Sequence, residues 1–154
     1  MGQVDIAEFL KRGLCVLVAT RDASLMPHCV TGSEVILTGP RRGIVLLPTF
    51  ESAPALANLR AHGAIAVLLE EPTTHRGIQM KGRCLAMREA TAPELKQAAE
   101  FAARTKAELS AIGFAPAVLE RMNFMPCTVV EFTVQQVFEQ TPGPGAGRAV
   151  EART

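Results

Sequence analysis

Ser52 stands four residues past an apolar run at 43–48 and opens a stretch with helical spacing, with Thr49 three residues ahead of it. A hydroxyl at a helix start lies beside unpaired amides and the partial positive charge of the helix dipole, which together favour a phosphate. The same hydroxyl also makes an ordinary N-cap, and residue types alone leave both readings open. A second polar group is formed by His75, Arg76, Gln79 and Lys81. On a strand, Gln79 and Lys81 project from one face while His75 and Arg76 stand at its mouth. Such a group suits an anionic or polar ring system, or else a solvated hairpin end.

Other chemistries find less support. His28, His62 and His75 have no metal-ligand spacing and no HExxH appears, so no metal site is expected. There is no GxSxG, Walker loop or GxGxxG, and the Gly/Pro run at 141–147 lacks the strand and helix of a phosphate loop. The four cysteines, Cys15, Cys29, Cys84 and Cys127, form no CxxC pair and lie in apolar or alternating runs. They read as reduced, buried, structural thiols. No residue reads as a dedicated acid or base, so the catalytic residues are unknown.

Composition narrows the classes further. At 154 residues the chain is the size of one domain. Sixteen basic residues against 15 acidic ones give a net charge of +1, without the excess that nucleic-acid backbones demand. With no Trp, no Tyr and seven Phe, base-stacking platforms are scarce too. No nucleic-acid partner is expected. Apolar runs such as Leu14 to Ala19 are too short to span a bilayer, and Asp5 and Glu8 interrupt any signal-peptide pattern at the N-terminus. A cytoplasmic protein without membrane contact is the expectation.

The elements that must position these residues can be read in order. Asp5 and Glu8 resemble a capping box for a short helix carrying Ile6, Phe9 and Leu10 and ending at Gly13. Leu14 to Thr20 predicts a buried strand, and Pro27 to Leu37 a weakly amphipathic one that bends near Gly32. A turn at 39–43 makes a hairpin into the strand at 43–48. Ser52 to Gly63 predicts a three-turn helix with Leu56 and Leu59 inward, and Ala64 to Leu69 an apolar strand. From Gly77 to Met87 the run alternates, with Ile78, Met80, Cys84 and Ala86 on the apolar face. Thr91 and Glu94 cap a long helix whose stripe reads Leu95, Ala98, Ala99, Ala102, Leu109 and Ile112. After a short helical segment from Pro116, a last strand runs from Cys127 to Phe138, with Val130, Phe132, Val134 and Phe138 on its apolar face. Residues 1–140 therefore form a single domain, and 141–154 a Pro/Gly-rich tail with no regular element. The fold class is mainly β with α additions: six strands, antiparallel because their links are short, in a barrel with helices outside.

That order resembles a known family. A strand ending in T-x-x-S (Thr49, Ser52), a helix carrying Asn58-Leu59, the apolar strand at 64–69 and a charged turn into a strand ending in Gly, at 75–82, are similar to the pyridoxamine 5′-phosphate oxidase-like FMN-binding split barrels. The likeness spans roughly residues 7 to 90, and the strand from Cys127 suits the barrel's closing strand. It implies a six-stranded split β-barrel and a homodimer with an FMN in each of two grooves between subunits. The cofactor-binding residues it implies are Ser52 and Thr49 toward the phosphate, Arg76 at the head of its strand, and Gln79 or Lys81 facing the isoalloxazine, with His75 a further source of charge. The family's basic phosphate ligands are replaced here by Ala53, Pro54 and Val30. Lacking Trp, the chain also lacks the family's closing motif for pyridoxal phosphate, so vitamin B6 is not the expected substrate. The resemblance implies a flavin-dependent oxidoreductase acting on a small molecule. The alternative expectation is a non-enzymatic split barrel that has lost the phosphate site and binds another ligand, such as haem through His75 or His62, or a dimeric interaction module.

Overall fold

The structure, a computed structural model, describes residues 3–122 and 124–153. Its strands are β1 (Gln3–Asp5), β2 (Cys15–Arg21), β3 (Pro27–Gly32), β4 (Glu34–Gly39), β5 (Arg42–Pro48), β6 (Ala64–Glu71), β7 (Arg76–Glu89), β8 (Cys127–Glu139) and β9 (Glu151–Arg153). The helices are α1 (Ile6–Phe9), α2 (Ala53–His62), α3 (Ala92–Ala111) and α4 (Pro116–Glu120). Seven strands make one antiparallel sheet in the order β3-β2-β6-β7-β8-β5-β4, and β1 pairs in parallel with β9.

The mainly β class and the antiparallel sheet follow the sequence reading; the count of six strands does not. Residues 27–37, expected as one bent strand, are two strands at opposite ends of the sheet. The reason lies at Gly32, where a Cβ would come within 2.9 Å of Val16 Cγ1 and 3.3 Å of the Leu46 carbonyl oxygen. The bare backbone lets the chain cross from one edge to the other, and Ser33 N–H then donates to Leu46 O at 2.9 Å. Since consecutive strands hold the two edges, the sheet must curl until those edges meet. Among the described residues no ladder joins β3 to β4, so the curl remains a split barrel.

Strand alternation fills its interior. Val16 and Val18 of β2, Val45 and Leu47 of β5, Val67 and Leu69 of β6, Met80 of β7 and Phe132 of β8 form one buried cluster. Leu56 and Leu59 of α2 join it, each burial contributing about 1.5–3 kcal/mol. Gly63 ends α2 in the left-handed region at φ 69°, its N–H donating to Leu59 O at 2.9 Å. A second, smaller cluster lies outside the barrel, where Ala98 of α3 packs on Ile44, Leu46, Cys127 and Val129.

Three local expectations are corrected. The buried face of α3 is Ala98, Phe101, Thr105 and Leu109, whereas Ala99 and Ile112 are exposed. Thr105 Oγ1 donates to the Leu14 carbonyl at 2.7 Å, so a hydroxyl and an aromatic ring set the helix's rotation where alanines were expected to. In β8 the register shifts between Val134 and Gln136, which turns Val137 inward and leaves Phe138 half-buried on the outside. Finally, the Pro/Gly tail is not without regular structure. Gln140 N–H donates to Gly77 O at 2.8 Å, Gly147 N–H to Glu139 O at 2.7 Å, and the chain returns to pair as β9 with β1.

Candidate functional site

The six candidate residues fall in two places. At the β5–α2 junction, Ser52 is fully buried and its Oγ has no hydrogen-bond partner. It precedes α2 as expected, yet its side chain does not cap the helix. With ψ at 6°, the backbone departs from the extended geometry that aims a cap hydroxyl at the first-turn amides. Those amides are also depleted. Ala53 N–H already donates to Phe50 O at 3.3 Å, and Pro54 has no N–H to give. What remains for an anion is the Ser52 hydroxyl and the Ala55 N–H. Thr49 is engaged, its hydroxyl 3.0 Å from that of Thr128 and its N–H donating to Pro126 O at 2.8 Å. Ala53 and Pro54 are exposed and Val30 is half-buried, so none of these positions brings a cation.

The second place lies on the outer face of β6 and β7. Here Gln79 and His75 line an open groove of about 240 Å³ with Leu68, Glu70, Gly77, Gln140 and Pro142. Gln140 Nε2 donates to Gln79 Oε1 at 3.3 Å. His75 adopts the left-handed region at φ 57° and sets Nδ1 3.2 Å from Glu70 Oε1. Arg76 and Lys81 stand apart from this groove. The Arg76 guanidinium lies 5.6 Å from the Phe9 ring centroid, and Lys81 Nζ 4.6 Å from that of Phe138. Within one chain, therefore, His75 and Gln79 come together, while Thr49, Ser52, Arg76 and Lys81 do not join them in that groove.

Sequence reasoning missed Gln140, just past the end of β8, and Pro142 of the tail, and the buried carboxyl of Glu34. A charged residue between the apolar Val35 and the small Ser33 was the available signal for the last. His62 does not line the groove that holds His75, and no cluster of three or more His, Cys, Asp or Glu that could hold a metal occurs among the described residues. Cys127 is buried and Cys15 and Cys84 are half-buried, burial pushing all three thiols up, but Cys29 is exposed, contrary to expectation. No helix among the described residues is long and apolar enough to cross a membrane.

An open antiparallel sheet curled by a crossover between its own edges, with a helix inserted after β5, defines the split-barrel class. No protein-family model and no curated protein sequence matches the chain. Solved structures do. A candidate pyridoxamine 5′-phosphate oxidase from Lactobacillus delbrueckii superposes with a TM-score of 0.53 at 17% identity, covering 87% of this chain and 89% of that one. HupZ of Group A Streptococcus does so at 0.54 and 16% identity, covering 91% and 94%. A structure named F420 reductase gives 0.53 at 15% identity, with 84% and 93% covered. The chain has the pyridoxamine 5′-phosphate oxidase-like fold.

Proposed function

We propose that this chain binds FMN in a groove completed by a second copy of itself, and that with flavin bound it exchanges electrons with a small molecule. The observation that carries this reading is the Ser52 hydroxyl, buried and unpartnered at the start of α2. An orphaned buried hydroxyl is costly unless something meets it. Ser52 Oγ and the Ala55 N–H suit a phosphoester oxygen, and charge for the dianion is absent from positions 30, 53 and 54.

A shared groove accounts for both the distance between the two candidate places and that missing charge. One copy would offer Ser52, and the other Gln79 and His75 toward the ring. The outward face of the sheet carries half-buried Leu17, Ala19, Ala66, Leu68 and Phe138, an apolar strip suited to a second copy. Arg76 and Lys81 are exposed beside it and can bring positive charge across such a contact. Bound FMN supplies hydride and single-electron transfer; the chain's part is to hold the phosphate and the ring edge and to exclude water. The names of two structural neighbours, a pyridoxamine phosphate oxidase and an F420 reductase, support a redox cofactor.

The absence of a cation at positions 53 and 54 favours a second reading, a split barrel of this fold that has given up flavin for another ligand, such as haem. The test is an absorption spectrum of the purified protein titrated with FMN, with dimerisation followed by light scattering. A yellow protein, or saturable FMN binding in the micromolar range by a dimer, supports the proposal. A colourless protein unchanged by FMN refutes it, and a Soret band on haem addition selects the second reading.

A further inference from the structure

Glu34 opens β4 with its side chain only 8% exposed, and its Oε2 is enclosed without a hydrogen-bond partner. Desolvating a carboxyl and leaving it unpaired is unfavourable, and the apolar packing beside α3 does not require one there. Glu34 lines a cleft of about 460 Å³ between α1, β4 and α3, within the range that small ligands occupy. Leu10, Ile36 and Leu37 supply apolar wall, and Gln97 and Arg104 of α3 stand at the same cleft. Among the described residues Arg104 makes no ion pair, and its guanidinium rests 5.6 Å from the Phe101 ring centroid. Lys11, by contrast, is already tied to Glu8 at 2.6 Å. One acid and one base, neither with an ion-pair partner, thus share a cleft with an aliphatic wall. None of the residues discussed as a flavin site belongs to it.

We propose that this cleft binds a small amino-carboxylate zwitterion, its ammonium donating to Glu34, its carboxylate meeting Arg104, and its methylenes lying against Leu10 and Ile36. A plain anion would leave Glu34 unanswered, and a plain amine would leave Arg104 so. Burial pushes the Glu34 carboxyl up to about 7, with Arg104 opposing the rise and Glu100 adding to it. Arg104 and Glu100 of α3 are the charged groups that bear on it, and Lys11, just past the end of α1, lines the same cleft paired to Glu8. An arriving ammonium holds the carboxyl ionised and displaces its proton, so affinity increases from about pH 6 to about pH 8.

The experiment is an amide chemical-shift titration of the full nitrogen-15-labelled chain with glycine, γ-aminobutyrate and ε-aminohexanoate, with butylamine and butyrate as single-ended probes. The expected result is saturable shifts at residues 7–11, 34–37 and 97–104 with at least one zwitterion, about tenfold weaker with either single-ended probe. Glu34→Gln and the exposed Arg104→Gln each weaken binding about tenfold while keeping the dispersed spectrum. The proposal is overturned if no probe saturates by about 10 mM, or if both variants bind unchanged. It is equally overturned if butyrate binds as tightly as the zwitterions and weakens above pH 7, which would make protonated Glu34 a donor to an anion.

Discussion

Gly82 of β7 runs so close against Thr133 of β8 that a Cβ on the glycine would fall 1.6 Å from the Thr133 carbonyl oxygen. The contact sits at a register shift in the β7–β8 ladder, where Lys81 pairs with Gln136 but Gly82 with Val134. Backbone, not a yielding side chain, occupies the space. Gly82→Ala is therefore expected to destabilise the fold by about 3 kcal/mol or more, read as a shift in the urea midpoint.

Ser52→Ala separates a structural serine from a binding one. Because the hydroxyl is buried without a partner, its removal is expected to leave stability unchanged or raise it by up to about 1 kcal/mol. FMN affinity, in contrast, is expected to fall about tenfold. A loss of stability with no change in flavin affinity would assign Ser52 to the fold alone.

Glu34 predicts an unusual pH dependence. Its folded pKa, pushed up to about 7 by burial, exceeds the ordinary carboxyl value of 4.5. Between those values the folded chain keeps the proton that the unfolded chain releases, so the group lowers stability as pH rises across that window. Glu34→Gln removes the penalty. The variant is expected to match the parent near pH 4 and to exceed it near pH 8 by on the order of 2 kcal/mol, measured by denaturant unfolding at both.

The start of α3 has the opposite sign. Arg88 donates to Glu94 at 2.7 Å and 2.8 Å, and the Thr91 N–H donates to it at 2.8 Å. The Arg88 hydrogen bonds, with those of Thr91 behind them, bring the Glu94 carboxyl down to about 2. The stabilisation is present above the ordinary carboxyl value and is lost as pH falls toward 2. Glu94→Ala is expected to cost stability at pH 7 and almost none at pH 2, and Thr91→Ala to cost about 1 kcal/mol by loss of the cap.

What could be read from sequence here was local. The caps at Asp5 and Thr91 each join residues three apart; the full box closes at Thr91 and Glu94, while at Asp5 the side chain accepts from Glu8 N–H and Glu8 turns to Lys11 instead. The start of α2 after Ser52 was legible for the same reason. The groove was not, for the strand spacing sets Gln79 with Lys81 and His75 with Arg76, and the groove takes one residue from each pair. The idle Ser52 hydroxyl was not legible, since it depends on one ψ angle and on the amide missing from Pro54. Nor was the division of 27–37 into two strands, because what Gly32 avoids is a side chain from residue 16 and a carbonyl from residue 46. The wall supplied by Gln140 and Pro142 depends on a tail whose hydrogen bonds reach back to Gly77, more than sixty residues away.

β8 is the last strand of the large sheet in the chain, yet it lies between β7 and β5. Until residues 127–139 have left the ribosome, the β4–β5 hairpin has no further strand to pair with, and β5 and β7 each present an unpaired edge. Such edges are templates for pairing with other chains. Until β8 is made, the barrel thus stays in two halves. Fusing the segment N-terminal to β8 to a reporter should yield aggregates, with solubility returning only once the last strand is included.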